Sequence, residues 1–156
     1  MSKSLTRVTR ALSDAGLDIT PIDVGAEART AQQAADALGC ALDQITKSII
    51  FAGATSGSAI LFLTAGGNQV DNGKARACAG EPLERADAAL IRAQTGFAIG
   101  GVAPVGHLGP IRAFFDRRLT EFDVIWAAAG TPRHVFAISP TDLLKISGAE
   151  VSDFTT

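Results

Sequence analysis

The chain has 156 residues, of which 47% are hydrophobic and 19% charged, and carries a net charge of −2. These proportions suit one globular domain with its own core and exclude a disordered chain. No apolar run approaches the roughly 18 residues of a membrane helix, and a slightly acidic chain lacks the basic face needed to wrap duplex DNA, while leaving room for contact with a few nucleotides.

The first segment, Met1 to Arg7, has no apolar stretch of the signal-peptide kind, so a cytoplasmic protein is expected. Leu5, Val8, Ala11, Leu12 and Ala15 recur at helical spacing, which predicts a helix over 4–15 ended by Gly16. Asp18 to Val24 alternates polar and apolar residues and reads as a strand that Pro21 confines to an edge or a bulge. Thr30 with Gln33 forms a capping box for a helix over 31–39. Lys47 to Ala52 and Ala59 to Ala65 are apolar runs around a small-residue loop, which predicts an antiparallel hairpin buried on both faces. Gly66-Gly67-Asn68 is a turn. Helices are expected over 72–79 and 84–95, the latter stopped at Gly96. Strands are expected over 111–116, 124–129 and 134–138, the last two as a hairpin. Ser139-Pro140 opens a final helix over 141–146. Strands and helices mix without strict alternation. The prediction is therefore a single α+β domain over 1–156, with a mixed, mostly antiparallel sheet surrounded by helices.

One stretch stands apart: Thr95-Gly96-Phe97-Ala98-Ile99-Gly100-Gly101-Val102-Ala103-Pro104-Val105-Gly106-His107. It holds four of the sixteen glycines and one of the two histidines. Phe97-Ala98-Ile99 reads as a short buried strand running into a rigid loop. Glycine lets a backbone be approached closely and proline fixes its path. Such a loop offers bare N–H groups to an anion or a developing oxyanion, and Gly100 and Gly101 are the expected donors. Lys47, at the mouth of an apolar strand, would place a positive charge beside them. Arg92, Arg112, Arg117, Arg118 and Arg133 fall near the loop in sequence, each of which alone reads as a solvated surface charge.

Conventional catalytic constellations are missing: no Gly-x-Ser-x-Gly, no His-Glu-x-x-His and no phosphate-loop Gly-Lys-Ser/Thr. His107 and His134 lack metal-ligand spacing. His134 opens a strand and reads as structural, and His107 stands at the loop edge. Cys40 and Cys78 form no Cys-x-x-Cys pair and read as core thiols, with a bridge between them left open.

The loop from Thr95 to His107 resembles the signature of the YbaK/prolyl-tRNA-editing domain family. Gln44 to Phe51, Gln69 to Lys74 and Trp126 to Gly130 fall where that family has its other characteristic segments, so the resemblance spans about Leu5 to Asp153. It implies a free-standing hydrolase, acting in trans, that deacylates mischarged aminoacyl-tRNA. The expected substrate is tRNA(Pro) bearing a small non-cognate residue such as cysteine or alanine. The implied catalytic group is Lys47 with the Gly-x-x-x-Pro loop, Gly100 to Pro104. Asp71, Val102, Ala103, Pro104 and His107 are the implied substrate contacts. Many relatives carry Ser or Thr where this chain has Ala103, which leaves the amino acid cleared open. The implied partners are the tRNA acceptor end and prolyl-tRNA synthetase, with no DNA, membrane, metal or cofactor. An aminoacyl ester is already activated, so its hydrolysis needs orientation, a water and oxyanion stabilisation. In this family the terminal ribose hydroxyl is thought to assist. The absence of an obvious base fits substrate assistance, and it equally fits a non-catalytic module that binds an aminoacyl-tRNA or a small acyl ligand.

Overall fold

The computed structural model describes residues 2–156. Its elements in chain order are α1 (Lys3–Asp14), β1 (Ile22–Asp23), α2 (Ala31–Leu38), β2 (Ile45–Gly53), β3 (Ala59–Ala65), α3 (Asn72–Ala79), β4 (Leu83–Arg85), α4 (Ala88–Thr95), β5 (Arg112–Asp116), β6 (Ile125–Ala128), β7 (His134–Ile138), α5 (Pro140–Ser147) and β8 (Glu150–Ser152). The strands form one sheet in the order β1-β7-β6-β2-β3-β5-β8, with β4 also pairing with β2. The β2–β3, β6–β7, β1–β7 and β2–β4 pairs are antiparallel; β2–β6, β3–β5 and β5–β8 are parallel. This is the expected mixed, mostly antiparallel α+β sheet.

β3 lies inside the sheet, between β2 and β5, and each of its seven residues is buried. Its side chains alternate between the two faces. Leu61, Leu63 and Ala65 join the main core with Leu5, Val8 and Leu12 of α1, Phe115, Phe136 and Leu143. Ile60 and Phe62 join a second core with Ala75 and Ala79 of α3, Phe114 and Phe154. There Phe62 stacks on Phe114 with ring centroids 5.2 Å apart and meets Phe154 edge-on at 5.0 Å. Covering both faces explains why β3 is a continuous apolar run rather than an alternating one.

Several boundaries follow from single polar groups. Thr30 and Gln33 close the predicted capping box of α2. Ser139 caps α5, which has Pro140 in its first turn. The expected helix over 84–95 is shorter, because Asp87 is its N-cap: its carboxylate accepts the Leu90 N–H, and Leu83–Arg85 pairs with β2 as β4 instead. Alanine-rich sequence on both sides of Asp87 hid this break. Of the strand expected over 18–24, only Ile22–Asp23 pairs, at the sheet edge that Pro21 indicates. Phe97-Ala98-Ile99 is not a strand. Phe97 is buried in the main core, while Ala98 and Ile99 turn outward, Ile99 being 59% exposed. β8 was not predicted. Cys40 and Cys78 are both free and half-buried, and burial raises both thiol pKa values.

Candidate active site

Beside β2 the sheet opens into a cleft of about 400 Å³. β2 supplies Ile45, Thr46, Lys47, Ser48 and Ile49 to its wall, and β6 supplies Trp126, Ala127 and Ala128. Ala31 and Ala34 of α2 close a second side, with the segment 28–30 before it. Gly100 and Val102 of the glycine-rich loop, together with Thr131 and His134, close a third.

Lys47 sits half-buried on β2 opposite Thr64 of β3. Its Nζ donates to the Asn68 carbonyl at 2.6 Å. That carbonyl is held by the turn after β3, in which the Asn68 N–H donates to Ala65 and the Asn68 side chain donates to Asp116. Asp116 is itself buried and accepts from the Ala65 and Arg118 N–H groups. Burial lowers the Lys47 pKa below the ordinary lysine value, against the opposing attraction of Asp116 and Asp43. A cation that is partly desolvated, and tied by one hydrogen bond to a neutral carbonyl, is available to an incoming oxyanion or phosphate.

The loop is clamped at its two ends. The Leu108 N–H donates to the Thr95 carbonyl. Arg7 of α1 donates through Nη2 to the Gly96 carbonyl at 2.7 Å and through Nε to the Gly106 carbonyl at 3.2 Å. Its guanidinium also lies over the Phe97 ring, 4.7 Å from the centroid. Within the clamp, the Gly101 N–H donates to the Ala98 carbonyl at 3.1 Å and closes a turn. Gly100, third in that turn, has φ +90°, the conformation that favours glycine at this position of a type II turn. Gly101 is buried, and a Cβ there would stand 2.9 Å from the Thr131 backbone, so glycine permits the loop to pack on the 130–134 segment.

The expected site residues therefore separate. Lys47, Gly100 and Val102 meet at the cleft. Gly101 lies behind it, and its N–H is engaged by the turn, which leaves Gly100 and Val102 as the loop residues that face the cleft. Ala103 is buried in the main core. Pro104 and His107 face a different concavity, shared with Ile146 and Gly148. His107 Nε2 donates to the Ala103 carbonyl at 2.7 Å, and burial lowers the His107 pKa. Asp71 does not line the cleft: it caps α3 by accepting the Lys74 N–H at 2.9 Å.

Three features were not legible in the sequence. Arg7, almost ninety positions before the loop, is its clamp. His134, read as structural, stands on the cleft wall with Nδ1 2.6 Å from Thr131 Oγ1, which in turn accepts the His134 and Arg133 N–H groups. Arg133 pairs with Asp23 and draws that carboxylate below its usual range, while Arg118 pairs with Asp43 and Glu121, so these two arginines are engaged elsewhere.

The family model for the aminoacyl-tRNA editing domain matches residues 25–146, which includes every residue lining the cleft. The chain belongs to this family. A crystal structure of a candidate trans-editing enzyme for prolyl tRNA synthetase superposes on this editing domain with a TM-score of 0.93 and 43% sequence identity, covering 100% of this chain and 99% of that one. The uncharacterized protein YwhH of Bacillus subtilis (strain 168) is 30% identical over 134 residues, 86% of this chain and 83% of its own length. EbsC of Enterococcus faecalis (strain ATCC 700802 / V583), a candidate Cys-tRNA(Pro)/Cys-tRNA(Cys) deacylase, is 22% identical over 128 residues, 81% of this chain and 77% of its own length.

Proposed function

We propose that this editing domain acts in trans as a deacylase that hydrolyses the ester of tRNA(Pro) mischarged with a small amino acid. The observation that carries the proposal is the pairing of Lys47 with the Gly100 turn across one cleft whose other walls are mostly small and apolar. The ammonium and the loop N–H groups can stabilise negative charge on the ester carbonyl. On the side of the glycine-rich loop, Gly100 and Ala127 leave room for an acyl group the size of alanine or cysteine. The similarity to EbsC and to the candidate trans-editing enzyme supports tRNA(Pro) as the carrier.

In the reaction, water adds to the ester carbonyl and the acyl C–O bond breaks. The terminal ribose oxygen leaves as a hydroxyl after taking a proton, so the products are the free amino acid and uncharged tRNA. The neighbouring hydroxyl of that ribose orients the water and relays its proton, accepting it while passing its own to the leaving oxygen, a role no cleft carboxylate fills: among the described residues no Asp or Glu lines the cleft. The test is incubation of the purified protein with tRNA(Pro) charged separately with alanine, cysteine, serine and proline, following ester loss. The expected result is rapid loss from at least one small non-cognate species and slow loss from prolyl-tRNA(Pro). Equal stability of all four esters, with and without protein, would contradict it.

A further inference from the structure

β2 is an inner strand with a gap in its outer edge. On that edge β6 pairs only with Ile45 and Thr46, and β4 pairs only with Phe51, Ala52 and Gly53. Residues 47–50 have no strand beside them there. Which of their backbone groups face the gap follows from the pairing with β3. Gly53 donates to the Ser58 carbonyl, so odd-numbered residues of β2 face β3. Ala65 and Ala59, the partners of Thr46 and Ala52, send their N–H groups away from β2, to Asp116 and to Gln94. Even-numbered residues of β2 therefore point N–H and C=O outward. Thr46 meets β6, Ala52 meets β4, and Ile50 abuts the end of β4. Ser48 stands midway, lines the cleft, and has neither strand opposite it.

Resting on the deacylase reading above, we infer that Ser48 supplies a one-residue strand edge that holds the aminoacyl group by its own backbone-like atoms. An aminoacyl ester has the donor and acceptor of one strand residue: an α-ammonium and, three bonds away, a carbonyl oxygen. Set against Ser48 as a hydrogen-bonded antiparallel pair, the ammonium donates to the Ser48 carbonyl and the ester carbonyl accepts the Ser48 N–H. The Ser48 N–H then becomes an oxyanion donor, which matters because the Gly101 N–H is engaged by its own turn. The geometry also orients the side chain. Paired residues share a face of the sheet, and Ser48 shares its face with Leu63 of the main core, the side to which Val102 belongs. An L-amino acid would direct its side chain toward the glycine-rich loop, which then limits its size. The recognised chemistry is thus a free α-amino acyl ester, with discrimination against acyl groups whose nitrogen is blocked.

The test uses a non-hydrolysable mimic of the acceptor end, adenosine bearing L-alanine through a 3′-amide, and the same compound N-acetylated. Binding is measured by calorimetry, and amide hydrogen exchange at Ser48 is followed by NMR, with the Ile49 amide, which faces β3, as internal reference. In the free protein the Ser48 amide should exchange faster than that of Ile49. The alanyl mimic should slow Ser48 exchange by about tenfold or more, and the N-acetyl mimic should bind about tenfold or more weakly. Binding of the alanyl mimic with Ser48 exchange unchanged, or equal affinity for both mimics, would overturn the inference. If the mimics behave as stated but no aminoacyl-tRNA is hydrolysed, only the deacylase reading falls. If neither mimic binds, both fall.

Discussion

β2 and β3 are neighbours paired over seven residues, and in sequence they are nearly twins: Ile49-Ile50-Phe51-Ala52 beside Ile60-Leu61-Phe62-Leu63. In the fold they do different work. β3 is buried throughout and joins two cores. β2 is half-exposed from Lys47 to Phe51, and Lys47, Ser48 and Ile49 of that stretch line the cleft. The lesson is that an inner position in a sheet does not make a strand structural. A strand whose outer neighbours are short can carry a cation and free backbone groups while its inner edge remains fully paired.

This contrast can be broken at several points. The largest effect on stability is expected on β3. Phe62→Ala removes a ring that contacts Phe51, Phe114 and Phe154, and should cost about 3–5 kcal/mol. Urea denaturation checks this, and a loss below about 1 kcal/mol would contradict the two-core account. Next is the loop facing β2. Gly101→Ala places a methyl against the Thr131 backbone and should displace the Gly100 turn. Single-turnover hydrolysis should fall by on the order of a hundredfold, the scale of one lost oxyanion donor. A destabilised variant with unchanged rate per folded molecule would remove the turn from the mechanism.

A smaller effect is expected at the clamp. Arg7→Met leaves the Gly96 and Gly106 carbonyls without their donor, at about 1–3 kcal/mol for an unsatisfied buried group, discounted because the site is only half-buried. The Tm should drop and the rate should fall about tenfold as the loop loosens. A variant with wild-type rate and raised amide exchange across 96–106 would show that the clamp serves folding alone.

The smallest effect is a pH dependence. Burial lowers the His107 pKa from 6.5, so the folded state favours the neutral ring. Well above pH 6.5 neither state is charged and His107 adds no pH dependence. As pH falls below that value the unfolded chain takes the proton first, and stability is lost down to the lowered folded pKa. His107→Gln should therefore reduce the loss of Tm between pH 7.5 and pH 5, and an unchanged pH profile would contradict the assignment.

Much of the architecture was legible because local and global signals agree. The Thr30–Gln33 box, Ser139-Pro140 and the two apolar runs each specify the element that forms. The misreadings have physical causes. Asp87 breaks an alanine-rich segment that composition alone extends, and Phe97 is an apolar anchor for a turn rather than the start of a strand. At the site, Lys47 and Gly100 could be named from residue type and order. Arg7 and His134 could not, because their parts depend on contacts with distant or folded segments. The open edge at Ser48 is still less visible, since it arises from where β4 and β6 stop.

The central claim is that β2 carries the site while β3 carries the fold. Single-turnover hydrolysis of alanyl- and cysteinyl-tRNA(Pro), with Tm measured on the same preparations, tests it most directly with Lys47→Ala on β2 and Phe62→Leu on β3. The expected result is a rate loss on the order of a hundredfold or more in Lys47→Ala at nearly unchanged Tm, since truncation also removes a partly desolvated charge. Phe62→Leu should lower Tm and leave the rate per folded molecule near that of the wild type. A fully active Lys47→Ala protein would contradict the account.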